Sequence, residues 1–92
     1  MKDRPVIREF VQNLLSQKGD RAAFSDSEQL IARGRLQSID TLELVVFLEE
    51  KYGIDFGEIG FDQNQVESVE NIMTLIEANQ GSHVFEGSGR GQ

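Results

Sequence analysis

The chain has 92 residues, no cysteine and a formal net charge of −7. Its size allows one small domain with a modest core, and the lack of cysteine excludes a disulfide framework and thiolate metal sites. The charge is uneven: residues 1–36 hold seven basic and five acidic side chains, whereas residues 37–79 hold ten acidic and one basic. A negative surface of this kind repels phosphates, so no nucleic acid partner is expected; basic protein surfaces are the partners it would attract.

Pro5 suits a first helical turn, and Val6, Ile7, Phe10, Val11, Leu14 and Leu15 then recur at helical spacing on one face. Lys18 followed by Gly19 predicts the end of that helix. Residues 20–37 read as a long connecting loop, anchored by Phe24, Leu30, Ile31 and Leu36. Within it, Ser25-Asp26-Ser27-Glu28 has the form of a capping box that opens one short turn.

A second helix is predicted from about Ile39 to Tyr52, with Gly53 as its stop and Ser38 as its N-cap. The third helical position would be Thr41, so no capping box is expected there. Its core residues are expected to be Leu42, Leu44, Val45, Leu48 and Tyr52, with Ile39 and Val46 left near solvent among acidic residues. Residues 54–67 suggest one short, loose helix that draws apolar contacts from Ile54, Phe56, Ile59, Phe61 and Val66. Ser68 then caps a last helix from Val69 to about Asn79, with Val69, Ile72, Met73 and Ile76 inward. From Gln80 the Gly-rich sequence reads as a disordered tail. The expected architecture is therefore all-α, a small four-helix bundle with three main helices and one short one, as a domain over residues 1–79 and a tail over 80–92.

Catalytic arrangements are missing. Ser38 has no Gly-x-Ser-x-Gly context, and the only histidine, His83, lies in the tail, so no enzyme is expected. A calcium loop starting at Asp62 fails where Glu67 occupies the position that needs glycine, and no metal site is expected. No apolar run is long enough for a membrane span. Lys2 and Arg4 are not followed by an apolar stretch, so no signal peptide is expected and the cytoplasm is the expected location.

The segment Gln37-Ser38-Ile39 followed by Asp40-Thr41-Leu42-Glu43-Leu44-Val45, with Glu49-Glu50-Lys51-Tyr52-Gly53-Ile54 at the exit, resembles the second-helix region of acyl carrier proteins. In that family an Asp-Ser-Leu motif opens an acidic helix; here Gln37 stands in place of the aspartate. The resemblance runs more weakly from about Val6 to Asn79 and implies the carrier-protein fold. It also implies that Ser38 carries 4′-phosphopantetheine, flanked by Gln37 and Ile39. The thiol of that group would hold an acyl or aminoacyl unit as a thioester. The implied partners are a phosphopantetheinyl transferase, a loading ligase, and downstream synthase or transferase enzymes with basic docking surfaces. The family's recognition surface maps onto Asp40, Glu43 and Glu50 as charged contacts and Ile39 and Val46 as apolar ones, on a monomer. The residues alone leave a second function open: an unmodified helical adaptor that offers Ile39, Val46 and Phe47 to a partner helix.

Overall fold

A computed structural model describes the backbone of residues 3–89 and the side chains of residues 3–79. Helix α1 spans Asp3–Gln17 and buries Ile7, Val11, Leu14 and Leu15, the apolar stripe its spacing dictates. It ends where Gly19 takes a left-handed φ of 84°. The Gly19 N–H then bonds the Ser16 carbonyl at 2.9 Å and the Asp20 N–H bonds the Leu15 carbonyl at 2.9 Å, the paired closure that satisfies a helix's last acceptors.

The chain next crosses the molecule without regular structure, and Phe24, Leu30 and Leu36 are buried along the way. A long loop must satisfy its own backbone polar groups. This one does so partly on the segment that opens the last helix: Leu30 N–H bonds the Glu67 carbonyl at 2.9 Å, and Ala32 N–H bonds Glu67 Oε2 at 2.8 Å. In return the Asp26 carbonyl accepts from Glu70 N–H at 2.9 Å. Ser25-Asp26-Ser27-Glu28 forms the short turn its pattern predicts, with Glu28 N–H on the Ser25 carbonyl at 3.3 Å, but without the side-chain bonds of a capping box. The two carboxylates are taken by arginines instead. Asp26 pairs with Arg8 at 2.6 Å and Arg4 at 3.2 Å, and Glu28 pairs with Arg35 at 3.0 Å.

Helix α2 spans Ser38–Tyr52 and stops at Gly53, whose φ is 70°. Leu44 and Leu48 are fully buried, as expected, and Val45 and Tyr52 are partly buried against the core. Leu42 corrects the expected core set, because it is 58% exposed. Thr41, Leu44 and Leu48 form the inward stripe at i, i+3, i+7, which turns Leu42 outward with Ile39 and Val46. Phe47 lies flat against Phe10 of α1, with ring centroids 4.1 Å apart. The Tyr52 hydroxyl donates to Asp3 at 3.3 Å, and burial followed by the charge of Asp3 holds its pKa above the usual tyrosine value.

The single short helix expected over residues 54–67 is two pieces. Helix α3, Phe56–Ile59, is capped by the Asp55 carboxylate, which accepts from Gly57 N–H at 3.0 Å and Glu58 N–H at 3.2 Å. A 3₁₀ turn follows at Gln63–Val66, opened by Asp62 accepting from Asn64 N–H at 2.8 Å. Ile54, Phe56 and Val66 are buried, whereas Ile59 and Phe61, also expected to supply apolar contacts, are exposed. Phe61 meets Phe56 edge-on, with centroids 5.9 Å apart.

Ser68 caps helix α4, Val69–Gly89, by accepting from Asn71 N–H at 3.1 Å. Val69, Ile72, Met73 and Ile76 face the core, together with Leu75. The helical backbone continues past Asn79, where the sequence pattern ends it, to Gly89. The tail expected over residues 80–92 falls on side chains, and from residue 90 on backbone, outside the described residues. Among the described residues the fold is all-α, three long helices and one short, with no strand and no helix long and apolar enough to cross a membrane.

Candidate functional site

The start of α2 is held by residues other than its serine. Gln37, extended at φ −114° and ψ 178°, is the N-cap, and Ser38 is the first helical residue. This moves the predicted cap by one position. The Asp40 carboxylate reaches back to accept from Gln37 N–H at 2.8 Å, which is the aspartate half of a capping box that the sequence did not suggest. The Gln37 carbonyl accepts from Asp40 N–H at 2.9 Å and Thr41 N–H at 3.0 Å, and the Thr41 hydroxyl donates to the Ser38 carbonyl at 2.7 Å.

Asp40 is 6% exposed, so it does not belong to an acidic docking surface. A carboxylate at that depth needs a partner. Lys18, just past the end of α1, supplies it through a hydrogen-bonded ion pair. The same ammonium donates to the Arg35 carbonyl at 3.1 Å, so one lysine joins the end of α1, the end of the loop and the start of α2. The sequence marks Lys18 only as a cation at a helix end; its second role depends on a residue 22 positions away. Replacing Asp40 with alanine removes this support from the Gln37 N–H and leaves Lys18 unpaired. The expected cost is about 1–2 kcal/mol, measured by urea unfolding.

With the helix start secured in this way, the Ser38 hydroxyl makes no hydrogen bond among the described residues and the side chain is exposed. The backbone N–H groups of Ser38 and Ile39 likewise find no acceptor among those residues, as expected of the first donors of a helix. Gln37 is exposed beside them, and Ile39 is 60% exposed.

The outer face of α2 continues from this point as a shallow apolar groove. A depression of about 390 Å³ is lined by Leu42, Val46 and Phe47 of α2 and Phe10 of α1, with Glu43 and Glu50 at its margin. Of the residues assigned to recognition by resemblance, the structure brings Ile39, Glu43, Val46 and Glu50 to this exposed face and turns Asp40 away from it. Leu42 and Phe10 join the face without having been singled out. Phe10 belongs to an ordinary apolar helix stripe, and only its stacking on Phe47 reveals the second role.

No family model, curated protein or solved structure matches the chain.

Among the described residues no cluster of titratable groups converges on Ser38. Among the described residues no three His, Cys, Asp or Glu side chains are placed to hold a metal ion, and the Asp62 carboxylate is committed to its cap. Among the described residues the site offers a hydroxyl side chain with no hydrogen-bonded base, two unpartnered backbone donors and an apolar strip beyond them. Such a hydroxyl is suited to being modified by another protein.

Proposed function

We propose that this chain is a carrier protein whose fold is of the acyl-carrier type. A separate phosphopantetheinyl transferase joins 4′-phosphopantetheine to Ser38, and the protein tethers an acyl or aminoacyl unit for presentation to partner enzymes. The observation that carries the reading is the free, exposed hydroxyl of Ser38 at the first position of α2, in a chain without cysteine. When bound, the group supplies the thiol that the polypeptide lacks.

The chain's own part in the modification is limited to presentation. The Ser38 oxygen forms a bond to the β-phosphate of coenzyme A as the pyrophosphate bond breaks. The serine proton passes to a base of the transferase, and 3′,5′-adenosine bisphosphate leaves. The open N–H groups of Ser38 and Ile39 and the positive end of the α2 dipole favour the resulting phosphodiester, typically by about 0.3–1 kcal/mol at an exposed site. Glu43 and Glu50 steer basic surfaces of the transferase, a loading ligase and downstream synthases, while Ile39 and Val46 make the apolar contacts. Such partners must come and go, which suits a small, polar interface. The carrier itself catalyses nothing and acts as a cytoplasmic monomer.

Incubation with coenzyme A and a broad-specificity transferase should add the mass of one phosphopantetheine, and Ser38→Ala should abolish the gain. Intact-mass measurement decides: no gain in the native chain, or a gain that persists in the variant, defeats the proposal.

A second reading is supported by the exposed apolar strip of Ile39, Leu42 and Val46. In it the chain is an unmodified adaptor that binds a partner helix through this strip. Mass analysis of the protein purified from its own host separates the two, because the adaptor carries no added group.

A further inference from the structure

Lys18 holds the chain on both sides of the candidate serine without bonding the serine itself. Its ammonium donates to the Arg35 carbonyl at 3.1 Å, ahead of Ser38, and pairs with the Asp40 carboxylate behind it. Asp40 in turn accepts from Gln37 N–H at 2.8 Å, and the Gln37 carbonyl takes the N–H groups of Asp40 and Thr41. The foot of the lysine is fixed as well. Its own N–H bonds at 3.1 Å to the carbonyl of Leu15, a residue 1% exposed. A path of hydrogen bonds therefore runs from the buried end of α1 to the first turn of α2. The Ser38 hydroxyl makes no bond of its own among the described residues, so the place of its oxygen is set by the backbone that this path holds.

We infer that Lys18 is a positioning residue for the modification of Ser38, an inference that rests on the carrier reading. Attack on the β-phosphate needs the serine oxygen about 3–3.5 Å from phosphorus and in line with the breaking bond, and a misplacement of about 1 Å can cost on the order of 100-fold in rate. The first turn is where a helix frays, because its donors have no partners within the helix. In α2 the serine contributes nothing to the cap, which leaves that work to Asp40. A carboxylate only 6% exposed turns inward where a cation meets it, and Lys18 is that cation. Asp40 points away from the exposed face of Ile39, Glu43, Val46 and Glu50, so losing Lys18 leaves the docking residues in place. Lys18 therefore acts on kcat of the transferase and not on its KM for the carrier.

The test follows conversion by a broad-specificity transferase and coenzyme A over a range of carrier concentrations. Lys18→Met should lower kcat about tenfold and leave KM for the carrier within about twofold. Lys18→Arg keeps a cation that can reach the same two acceptors and should recover most of the rate. A carrier that is merely less stable behaves differently, since its unfolded fraction raises the apparent KM and leaves kcat alone. Leu75→Ala, a truncation of a buried residue on α4, supplies that control. Lys18→Met also leaves a buried carboxylate unpaired, so the double variant Lys18→Met, Asp40→Asn is measured beside it. Its asparagine still accepts from the Gln37 N–H without a charge but has no tie to α1, and its kcat should stay low. Native kcat in either variant, or a loss confined to KM, would overturn the inference and leave the carrier reading standing. A native chain that is never converted removes the carrier reading, and this role of Lys18 with it.

Discussion

Arg35→Met is expected to lower the melting temperature at neutral pH by on the order of 10 °C, more than any other surface-loop substitution in this chain. The guanidinium bonds Asp20 at 2.9 and 3.1 Å and Glu28 at 3.0 and 3.1 Å. It also donates to the Ala22 carbonyl at 2.7 Å and the Ala23 carbonyl at 3.1 Å. The long connection has no regular structure, and this one side chain ties its start to its end. Methionine keeps much of the volume but leaves the Glu28 carboxylate and two carbonyls without this donor, and Asp20 with only the Ala22 N–H at 3.1 Å among the described residues. The effect has a pH signature. The Arg35 side chain, and secondarily the Ala22 N–H, hold the Asp20 carboxyl below its ordinary value, while Asp20 and Glu28 raise the affinity of Arg35 for its proton. A carboxyl depressed in the folded state contributes stability that is complete above its unfolded pKa of about 4 and is lost as pH falls through the folded value. The gap in melting temperature between native chain and variant should therefore be widest near pH 7 and narrow below about pH 4. Thermal unfolding followed by circular dichroism across that range checks this, and a gap that does not change with pH would show that the carboxylates contribute nothing through Arg35.

This arginine also shows where the sequence stops being informative. Residues 20–37 read correctly as a loop, and its apolar anchors follow from composition: Phe24, Leu30 and Leu36 are buried and Ile31 is partly buried against the core. Nothing local shows that Arg35 should meet Asp20 fifteen positions away, because that pairing depends on how the loop folds back. The first helix was legible because its apolar residues fall on one face and its polar residues on the other. In α2 the run Leu44-Val45-Val46-Phe47-Leu48 is apolar all the way round, so periodicity fixes the helix but not its rotation. That ambiguity is what placed Leu42 in the expected core. The extra apolar residues on the outer face are the same ones that form the groove, so the weak pattern and the candidate site have a common origin.

The candidate serine was legible as a position and misread as a cap. Serine before a helix usually caps it, and the competing cap needed Asp40 to turn inward toward Lys18, an ion pair that the two residues' local sequences do not announce. Once that pair holds Gln37, the serine is released from structural duty. The departure at Gln37 and the burial of Asp40 are thus parts of one arrangement. The residue before the serine brings no charge, and the carboxylate that secures the helix start comes from one turn further on.

Leu44→Ala and Leu42→Ala, two positions apart on one helix, are expected to differ sharply in cost. Leu44 has no exposed surface, so truncating it removes packed atoms and leaves a cavity, at a cost of about 2–5 kcal/mol. For a domain this small that is a large share of the total stability, and the variant should unfold at far lower urea. Leu42 is 58% exposed, and its replacement should move stability by less than about 0.5 kcal/mol, alanine being the better helix former. Urea unfolding of both variants under one set of conditions reads the difference. The two positions are about 200° apart around the helix axis, so the comparison reports the rotation of α2 directly. If Leu42→Ala proved the costlier change, the helix would present the opposite face to the core. Ser38 and Val46, which share the face of Leu42, would turn toward the bundle with it, and an exposed serine leading into an apolar groove could no longer be the basis for function.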